Sequence, residues 1–225
     1  MTIPADGAAA QPTGSLESLG APGAVLVIIS GPSGVGKDTI IEALKGRHQR
    51  HRGPRRHDHH FVVTCTTRSP RRGEVNGVSY HFVDPTQFEA LKASGDLLEW
   101  AEVHGNWYGT PRAEVAEYLA KGQDVVLKID VQGAQKVKER VGDAILIFVV
   151  PPSQEALFRR LRARATESAE ELEIRQRNAA IELARQGDYD HVVVNEDDQV
   201  EQTAEEIDAI ISTEHAARAD RRVRL

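Results

Sequence analysis

The chain has 225 residues and a net charge of −6 at pH 7, with 40% hydrophobic and 28% charged residues. These proportions exclude a disordered or fibrous chain, and the acidic balance argues against a general nucleic-acid-binding protein. The single cysteine, Cys65, excludes an internal disulfide. The longest apolar run is too short to cross a bilayer, and no signal-peptide pattern is present. The sequence therefore predicts a cytoplasmic protein that contacts neither membrane nor nucleic acid.

The N-terminal residues predict a flexible tail followed by a buried strand. Residues 1–22 are rich in Gly, Ala, Pro and Ser, and they bury too little apolar surface to offset their chain entropy. Residues 24–29 form a continuous, largely aliphatic and β-branched run, which is typical of a strand buried on both faces. A glycine-rich turn follows, and the apolar spacing of residues 39–44 then predicts a helix.

The second half of the chain repeats this alternation of strands and helices. Further buried strands are predicted at 125–129, 144–150 and 192–194, and an acidic helix is predicted at about 199–213. Alternation of this kind produces βαβ units around a parallel sheet, which makes the fold class α/β. The segment 61–110 differs, because it combines short strand patterns and glycine turns with a single helical stretch near 85–92. We interpret it as an inserted subdomain.

Residues 47–60 are unusually basic, with five arginines and five of the nine histidines of the chain. A phosphate- or metal-binding patch and a solvated loop both have this composition. The histidines lack the helical or strand spacing that would bring their rings together, so we predict a solvated loop. The arginines of residues 218–225 have the same interpretation, which makes that segment a basic C-terminal tail.

A phosphate-binding pattern lies between the first strand and the first helix. A loop of this kind points successive backbone N–H groups at a polyphosphate, and the helix N-terminus adds the positive end of its dipole. The spacing fits the Walker A pattern, except that Asp38 stands where that pattern has Ser or Thr. A plain connecting turn is the alternative, but the strand before it and the helix after it favour an ATP site. That site comprises Gly31, Pro32, Ser33, Gly34, Val35, Gly36, Lys37, Asp38 and Thr39.

Two arginines downstream, Arg68 and Arg71, stand three residues apart around a proline. Guanidinium groups bind phosphate oxygens through paired hydrogen bonds, although such a pair alone is more often surface charge. A wider pattern favours the phosphate site, because the sequence resembles guanylate kinases over about 24–215. The resemblance rests on GPSGVGK (31–37), TTRSPRRGEVNGVSY (66–80), LLEWAEVHGNWYGT (97–110), IDVQGAQ (129–135), PPS (151–153) and VVVNED (192–197).

The resemblance implies a P-loop fold with a three-layer core and a parallel sheet. The implied domain comprises residues 23–217, with the core at 23–60 and 113–217, an NMP-binding insertion at 61–112 and a short lid near 162–175. The implied reaction transfers the γ-phosphoryl group of ATP to GMP, and also to dGMP, with Mg²⁺ as cofactor. The attacking group is already a phosphate anion, so no general base is required.

The resemblance also assigns roles to individual residues. The acceptor phosphate would contact Arg68, Arg71, Tyr80 and Tyr108, and the guanine would be surrounded by Thr64, Glu99, Thr110 and Asp130. Guanine presents N1–H and N2–H₂ donors, for which carboxylates are the complementary acceptors, whereas adenine would leave a buried carboxylate unpaired. The implied catalytic cations are Lys37 and three arginines of the lid region, Arg160, Arg164 and Arg175, with Arg177 as a near alternative to the last.

Two residues depart from the family pattern, Asp38 in the loop and Lys128 two residues before Asp130. We predict an ion pair between them that orients Asp38 toward Mg²⁺, directly or through water. Two alternatives to the kinase reaction stay open. One is a related P-loop kinase for another phosphorylated acceptor, and the other is a non-catalytic scaffold of this family that binds phosphorylated peptides.

Overall fold

The computed structural model describes residues 20–50, 59–103, 105–163 and 169–225. The strands in this part of the chain are β1 (Leu26–Ser30), β2 (His59–Phe61), β3 (Cys65–Thr66), β4 (His81–Phe82), β5 (Leu97–Val103), β6 (Asn106–Pro111), β7 (Asp124–Lys128), β8 (Ile145–Val150) and β9 (His191–Val194). The α-helices are α1 (Lys37–Arg50), α2 (Pro85–Ala93), α3 (Arg112–Ala120), α4 (Val131–Arg140), α5 (Gln154–Ala163), α6 (Ala169–Leu183) and α7 (Val200–Ala217), and a 3₁₀ helix spans Ala184–Asp188.

Five parallel strands form the main sheet in the order β2–β7–β1–β8–β9. Alternate residues of β1 point to opposite faces of this sheet. Val27 and Ile29 pack with residues of α1, α5 and α7, whereas Leu26 and Ile28 pack with residues of α3 and α4. All four side chains are fully buried. The prediction of a three-layer α/β core is therefore confirmed, and burial on both faces explains the continuous apolar run.

The segment between β2 and α3 forms a second, smaller sheet in the order β4–β3–β6–β5. Its helix α2 begins with a capping box, in which Asp84 and Gln87 each accept a hydrogen bond from the other's backbone N–H group. Phe88 of α2 is 1% exposed and packs with Cys65 and Leu97 beneath the sheet. This sheet therefore has its own apolar cluster, and it lies within the range interpreted as an insertion.

The C-terminal residues pack against the core. Val223 and Leu225 are each 4% exposed and belong to the cluster that covers the α3–α4 face of the main sheet. The Gly20 N–H group donates to the Val223 carbonyl, and the Ala21 N–H group donates to the Leu119 carbonyl. The prediction of a solvated tail at residues 218–225 is therefore wrong for Val223 and Leu225, although Arg224 between them is exposed. Most of the predicted N-terminal tail, residues 1–19, lies outside the described residues.

The basic stretch at residues 47–60 also differs from its prediction. The rings of His48 and His59 lie 4.1 Å apart, because the end of α1 packs beside the edge strand β2. The expectation that these histidines stay apart is therefore wrong for this pair, and residues 51–58 lie outside the described part. Among the helices of that part, none is long and apolar enough to span a membrane.

Candidate active site

A cleft of about 1040 Å³ opens where β1 and β7 end, between the main sheet and the smaller sheet. In parallel α/β sheets, ligands bind at the carboxyl ends of the strands. Most of the predicted site residues line this cleft, namely Gly31, Ser33, Gly34, Gly36, Lys37, Asp38, Thr64, Arg71, Tyr80, Glu99, Tyr108, Asp130 and Arg175. The cleft is not lined by Pro32, Val35, Thr39, Arg68, Thr110 or Arg160. Arg164 lies outside the described residues.

Asn195 packs against the phosphate-binding loop and holds it in place by a hydrogen bond. Gly36 has a φ of +104°, and a Cβ added there would lie 2.6 Å from Asn195 Nδ2, so no other residue fits without displacement. The same amide nitrogen donates to the Val35 carbonyl at 2.8 Å, while Thr203 Oγ1 donates to Asn195 Oδ1 at 3.1 Å. Asn195 belongs to the quoted motif VVVNED, but its contact with the loop could not be read from the sequence.

The loop lysine is directed at the loop itself. Lys37 Nζ donates to the Gly31 carbonyl at 2.5 Å and to the Pro32 carbonyl at 3.1 Å. Burial lowers the pKa of Lys37, and neighbouring carboxylates, Glu182 first among them, oppose that shift. A desolvated cation held against the phosphate-binding loop is suited to bind phosphate oxygens.

A carboxylate from α6 already contacts the loop. Glu182 Oε2 accepts a hydrogen bond from the Ser33 N–H group at 2.9 Å, and Glu182 lines the cleft. The loop therefore offers a backbone donor to an anion in this structure. Glu182 could not be identified from the sequence, because an acid on a polar helix has no pattern that connects it with a loop 149 residues earlier.

The predicted ion pair between the two departures from the family pattern is present. Lys128 Nζ lies 2.5 Å from Asp38 Oδ1 and also donates to the Tyr80 hydroxyl at 3.3 Å. The parallel register places Lys128 beside Ile29 at the end of β1, which brings it close to the first turn of α1. Burial acts to lower the pKa of Lys128, but Asp38 and Tyr80 outweigh burial and raise it.

The surroundings of Asp38 fit a hydrated magnesium ion. Its side chain is 70% exposed at the cleft and lies in the first turn of α1, next to the loop lysine. Mg²⁺ usually takes one or two carboxylates, substrate phosphates and several waters, and Asp38 supplies one such carboxylate. Asp38 therefore satisfies the donor chemistry that this ion requires.

Glu99 is the most deeply buried carboxylate of the cleft, with 3% exposure. The antiparallel pairing of β5 and β6 sets Glu99 opposite Thr110, and Thr110 Oγ1 donates to Glu99 Oε1 at 2.7 Å. Burial raises the pKa of Glu99 to about 7, the nearby Asp130 adds to the shift, and the Thr110 hydrogen bond opposes it. Thr110 itself is fully buried, so it positions Glu99 from behind and does not line the cleft.

Asp130 lies beside Glu99 because of the way α4 begins. Asp130 caps this helix, and its Oδ1 accepts the Gly133 N–H group at 2.8 Å. A Cβ at Gly133 would lie 2.7 Å from Glu99 Oε2, so glycine allows the helix to approach both carboxylates. Burial raises the pKa of Asp130. Gly133 stands within the quoted motif IDVQGAQ, and its role follows from this close approach.

Arg71 and the two tyrosines Tyr80 and Tyr108 line the cleft between the loop and the buried carboxylates. The rings of the two tyrosines pack edge to face, with centroids 6.0 Å apart. Arg68 lies just outside the cleft, where its Nη2 is 2.8 Å from Glu74 Oε1 and its guanidinium lies 5.5 Å from the Tyr80 ring centroid. The hydrogen bond that Arg68 donates to the Glu74 carboxylate raises the pKa of Arg68. Glu74 is a further residue that the sequence analysis missed.

The structure distinguishes Arg175 from its neighbour Arg177. Arg175 lines the cleft, and its Nη2 lies 3.4 Å from Ser33 Oγ of the phosphate-binding loop. Arg177 instead pairs with Glu173 on the exposed side of the same helix, at 2.8 Å. Arg175 is therefore the arginine that α6 directs at the loop.

Arg160 contacts the loop from the side away from the cleft. Its Nη1 donates to the Val35 carbonyl at 3.2 Å, its Nη2 donates to the Asn195 carbonyl at 2.8 Å, and the same nitrogen lies 2.6 Å from Asp197 Oδ1. In this arrangement Arg160 fixes the position of the loop. Its predicted contact with the transferred phosphate stays a prediction.

Comparisons with known proteins agree with this geometry. A sequence model described as guanylate kinase matches residues 24–214. A guanylate kinase from Symbiobacterium thermophilum is 47% identical over 87% of this chain and 88% of its own length. One from Thermobifida fusca is 46% identical over 83% of this chain and 90% of its own length. The crystal structure of guanylate kinase from Anaplasma phagocytophilum superimposes with a TM-score of 0.70 at 33% identity, covering 89% of this chain and 90% of that one.

Proposed function

The chain belongs to the guanylate kinase family, and we propose that it transfers the γ-phosphoryl group of ATP to GMP, or to dGMP, giving ADP and GDP or dGDP. The observation that carries this proposal is the presence of Glu99 and Asp130 in one cleft with Lys37 and the phosphate-binding loop. Two carboxylates complement the N1–H and N2–H₂ donors of guanine. Adenine lacks these donors, and it would leave a buried carboxylate without a partner.

The cleft residues divide between the two nucleotides. The loop from Gly31 to Thr39 and the Lys37 ammonium bind the phosphates of ATP, and the lysine exchanges its two carbonyl partners for phosphate oxygens. Arg71, Tyr80 and Tyr108 bind the phosphate of GMP, and Arg68 joins them when its guanidinium turns from Glu74. Thr64 completes the guanine pocket beside the carboxylates, and Thr110 acts through Glu99, which it holds from behind.

Catalysis in this site consists of positioning and charge neutralisation. The acceptor is a phosphate anion and attacks without a general base, so the protein contributes geometry and cations. Lys37 and Arg175 approach the phosphates from the loop and from α6. Arg160 holds the loop in place, and Arg164 completes the set of lid arginines.

Asp38, oriented by Lys128, would hold Mg²⁺ directly or through a water molecule. The ion, when bound, would supply positive charge to neutralise the phosphates of ATP. The Lys128 ammonium limits the repulsion between the Asp38 carboxylate and the triphosphate. The predictions of a cytoplasmic location and of no nucleic-acid partner stay predictions.

The experiment that tests this proposal measures ADP formation from ATP and Mg²⁺ with a panel of acceptors. We expect turnover with GMP and dGMP, and at least a hundredfold lower kcat/KM with AMP or UMP. A sugar phosphate in the same panel tests the alternative kinase reaction. Faster turnover with any acceptor other than a guanine nucleotide would contradict the substrate assignment. No ADP formation with GMP, in a protein that still binds GMP, would indicate the non-catalytic scaffold. Lys37→Met, which keeps the volume but removes the charge, is the inactive control.

A further inference from the structure

A second cluster of polar side chains lies at the opposite edge of the main sheet, where β2 and β7 begin. It joins His48 of α1, His59 of β2 and Asp208 of α7, and one ligand atom from each residue lies within 4.8 Å of the others. The three side chains are 13%, 2% and 6% exposed. None of these residues lines the nucleotide cleft. The cluster therefore has no part in the proposed reaction.

The distances within this cluster suit a metal ion better than hydrogen bonds. Asp208 Oδ1 lies 3.5 Å from His48 Nε2 and 3.4 Å from His59 Nε2. Good N–H···O hydrogen bonds are about 2.7–3.2 Å long. Nitrogen and oxygen ligands about 2.0–2.2 Å from a tetrahedral Zn²⁺ ion stand about 3.3–3.6 Å from one another. The two separations from Asp208 Oδ1 fall within this range, and the ligand atoms of the two histidines lie within 4.8 Å of each other.

A buried carboxylate, Asp124, lies behind the His59 ring. His59 Nδ1 lies 3.6 Å from Oδ2 of Asp124, a carboxylate with no solvent exposure. The other oxygen of Asp124 accepts the Val25 N–H group at 3.0 Å and lies 2.8 Å from His215 Nδ1. In metal sites a carboxylate that accepts a hydrogen bond from Nδ1 directs the Nε2 lone pair to the metal. The Asp124 contact is longer than such a bond, so it would have to shorten to about 3.2 Å or less when the ion binds. On the other side of the ring, His59 Nε2 is the nitrogen that lies nearest to Asp208, at 3.4 Å from Oδ1.

We propose that His48, His59 and Asp208 bind one divalent transition-metal ion of the Zn²⁺ class, with Asp124 as the orienting carboxylate. Water completes the tetrahedron. The ion joins α1, α7 and the three-residue edge strand β2, which the sheet holds on one side only. It acts as a structural clamp at the end of the sheet remote from the nucleotides.

The test is a Zn²⁺ titration of the full chain after treatment with a chelator and in the absence of nucleotides. We expect calorimetry to show one saturable site per chain. A zinc excess of about 100-fold over Kd should raise the melting temperature by roughly 5–10 °C. Replacement of Zn²⁺ by Co²⁺ should give the visible absorption bands of a tetrahedral ion.

Two variants and a matched control separate the site from other histidines. Asp208→Asn and His48→Gln keep the side-chain size, and each should weaken zinc binding at least tenfold. His191→Gln is the control, because His191 also pairs with a carboxylate of α7, Glu214 at 2.7 Å, but lies outside the cluster. The ADP-formation rate without added zinc reports that each variant is folded. Absence of saturable zinc binding in the parent chain would overturn the proposal. Unchanged zinc affinity in both variants would also overturn it, and would assign the metal to other histidines, such as His51 and His57.

Discussion

Glu99 should make GMP binding depend on pH. Guanine donates N1–H and N2–H₂, so the Glu99 carboxyl has to be ionised in the complex. Burial raises its pKa to about 7 in the protein without GMP. Because that value lies above the ordinary value of 4.5, the protonated fraction grows as the pH falls below 7, and GMP binding then has to expel a proton.

The size of the effect follows from this pKa. At pH 6 about one molecule in eleven has an ionised Glu99, whereas at pH 8 about ten in eleven do. We therefore expect the Kd for GMP to be about tenfold higher at pH 6 than at pH 8. The GMP phosphate also titrates, with a second pKa of about 6, so the variant Glu99→Gln is needed to isolate the contribution of the carboxyl group.

Calorimetry across pH 5.5–8.5 with three proteins measures this contribution. Glu99→Gln should bind GMP roughly 5- to 150-fold more weakly at pH 8, because an amide donor then faces guanine donors, and it should retain only the phosphate titration. Thr110→Val removes the donor to Glu99 Oε1 and should move the midpoint of the parent chain to higher pH. Equal pH slopes for the parent chain and Glu99→Gln would refute the reasoning, as would a Thr110→Val midpoint that does not move.

The remaining predictions concern the phosphate site, the ion pair and the C-terminus. Arg71→Ala should raise the KM for GMP at least tenfold more than the KM for ATP, and equal changes in both would remove Arg71 from the acceptor site. In a double-mutant cycle of Asp38→Ser and Lys128→Asp, the losses in kcat should be non-additive, whereas additive losses would show that the two residues act independently. Leu225→Ala should lower the free energy of unfolding by about 2 kcal/mol, because its side chain is buried in the core. Chemical denaturation measures that change, with the exposed Arg224→Ala as its control, and equal stability of the two variants would contradict the packing.

The main sheet and the loop could be predicted because their signals are local. A strand buried on both faces requires an unbroken apolar run, and a phosphate-binding loop requires glycines at fixed spacing. The contact between Asp38 and Lys128 could also be predicted. Both residues depart from the family pattern, and they carry opposite charges at two positions expected to lie close together. Predicting these features requires little knowledge of how distant segments of the chain pack together.

The features that sequence reasoning missed depend on tertiary packing. Glu182 reaches the loop from a helix 149 residues later, and no periodicity encodes that approach. His48 and His59 meet because a helix and an edge strand pack together, whereas residue spacing reports only which side chains share a face within one element. Val223 and Leu225 alternate with arginine, which is a strand-like pattern, but the charge of the segment favoured a solvated interpretation.

The hydrogen bond from the Ser33 N–H group to Glu182 has to break before this group can bind a phosphate oxygen. The Ser33 N–H group has one proton to donate, so a phosphate oxygen that takes it has to displace the Glu182 carboxylate. Glu182 and Arg175 belong to the same helix, α6, and both contact Ser33 in this structure. The triphosphate would therefore repel the Glu182 carboxylate and attract the Arg175 guanidinium, two side chains of the same helix. The protein therefore contains its own competitor for the Ser33 N–H group, a carboxylate that has to give way before a phosphate oxygen can bind there.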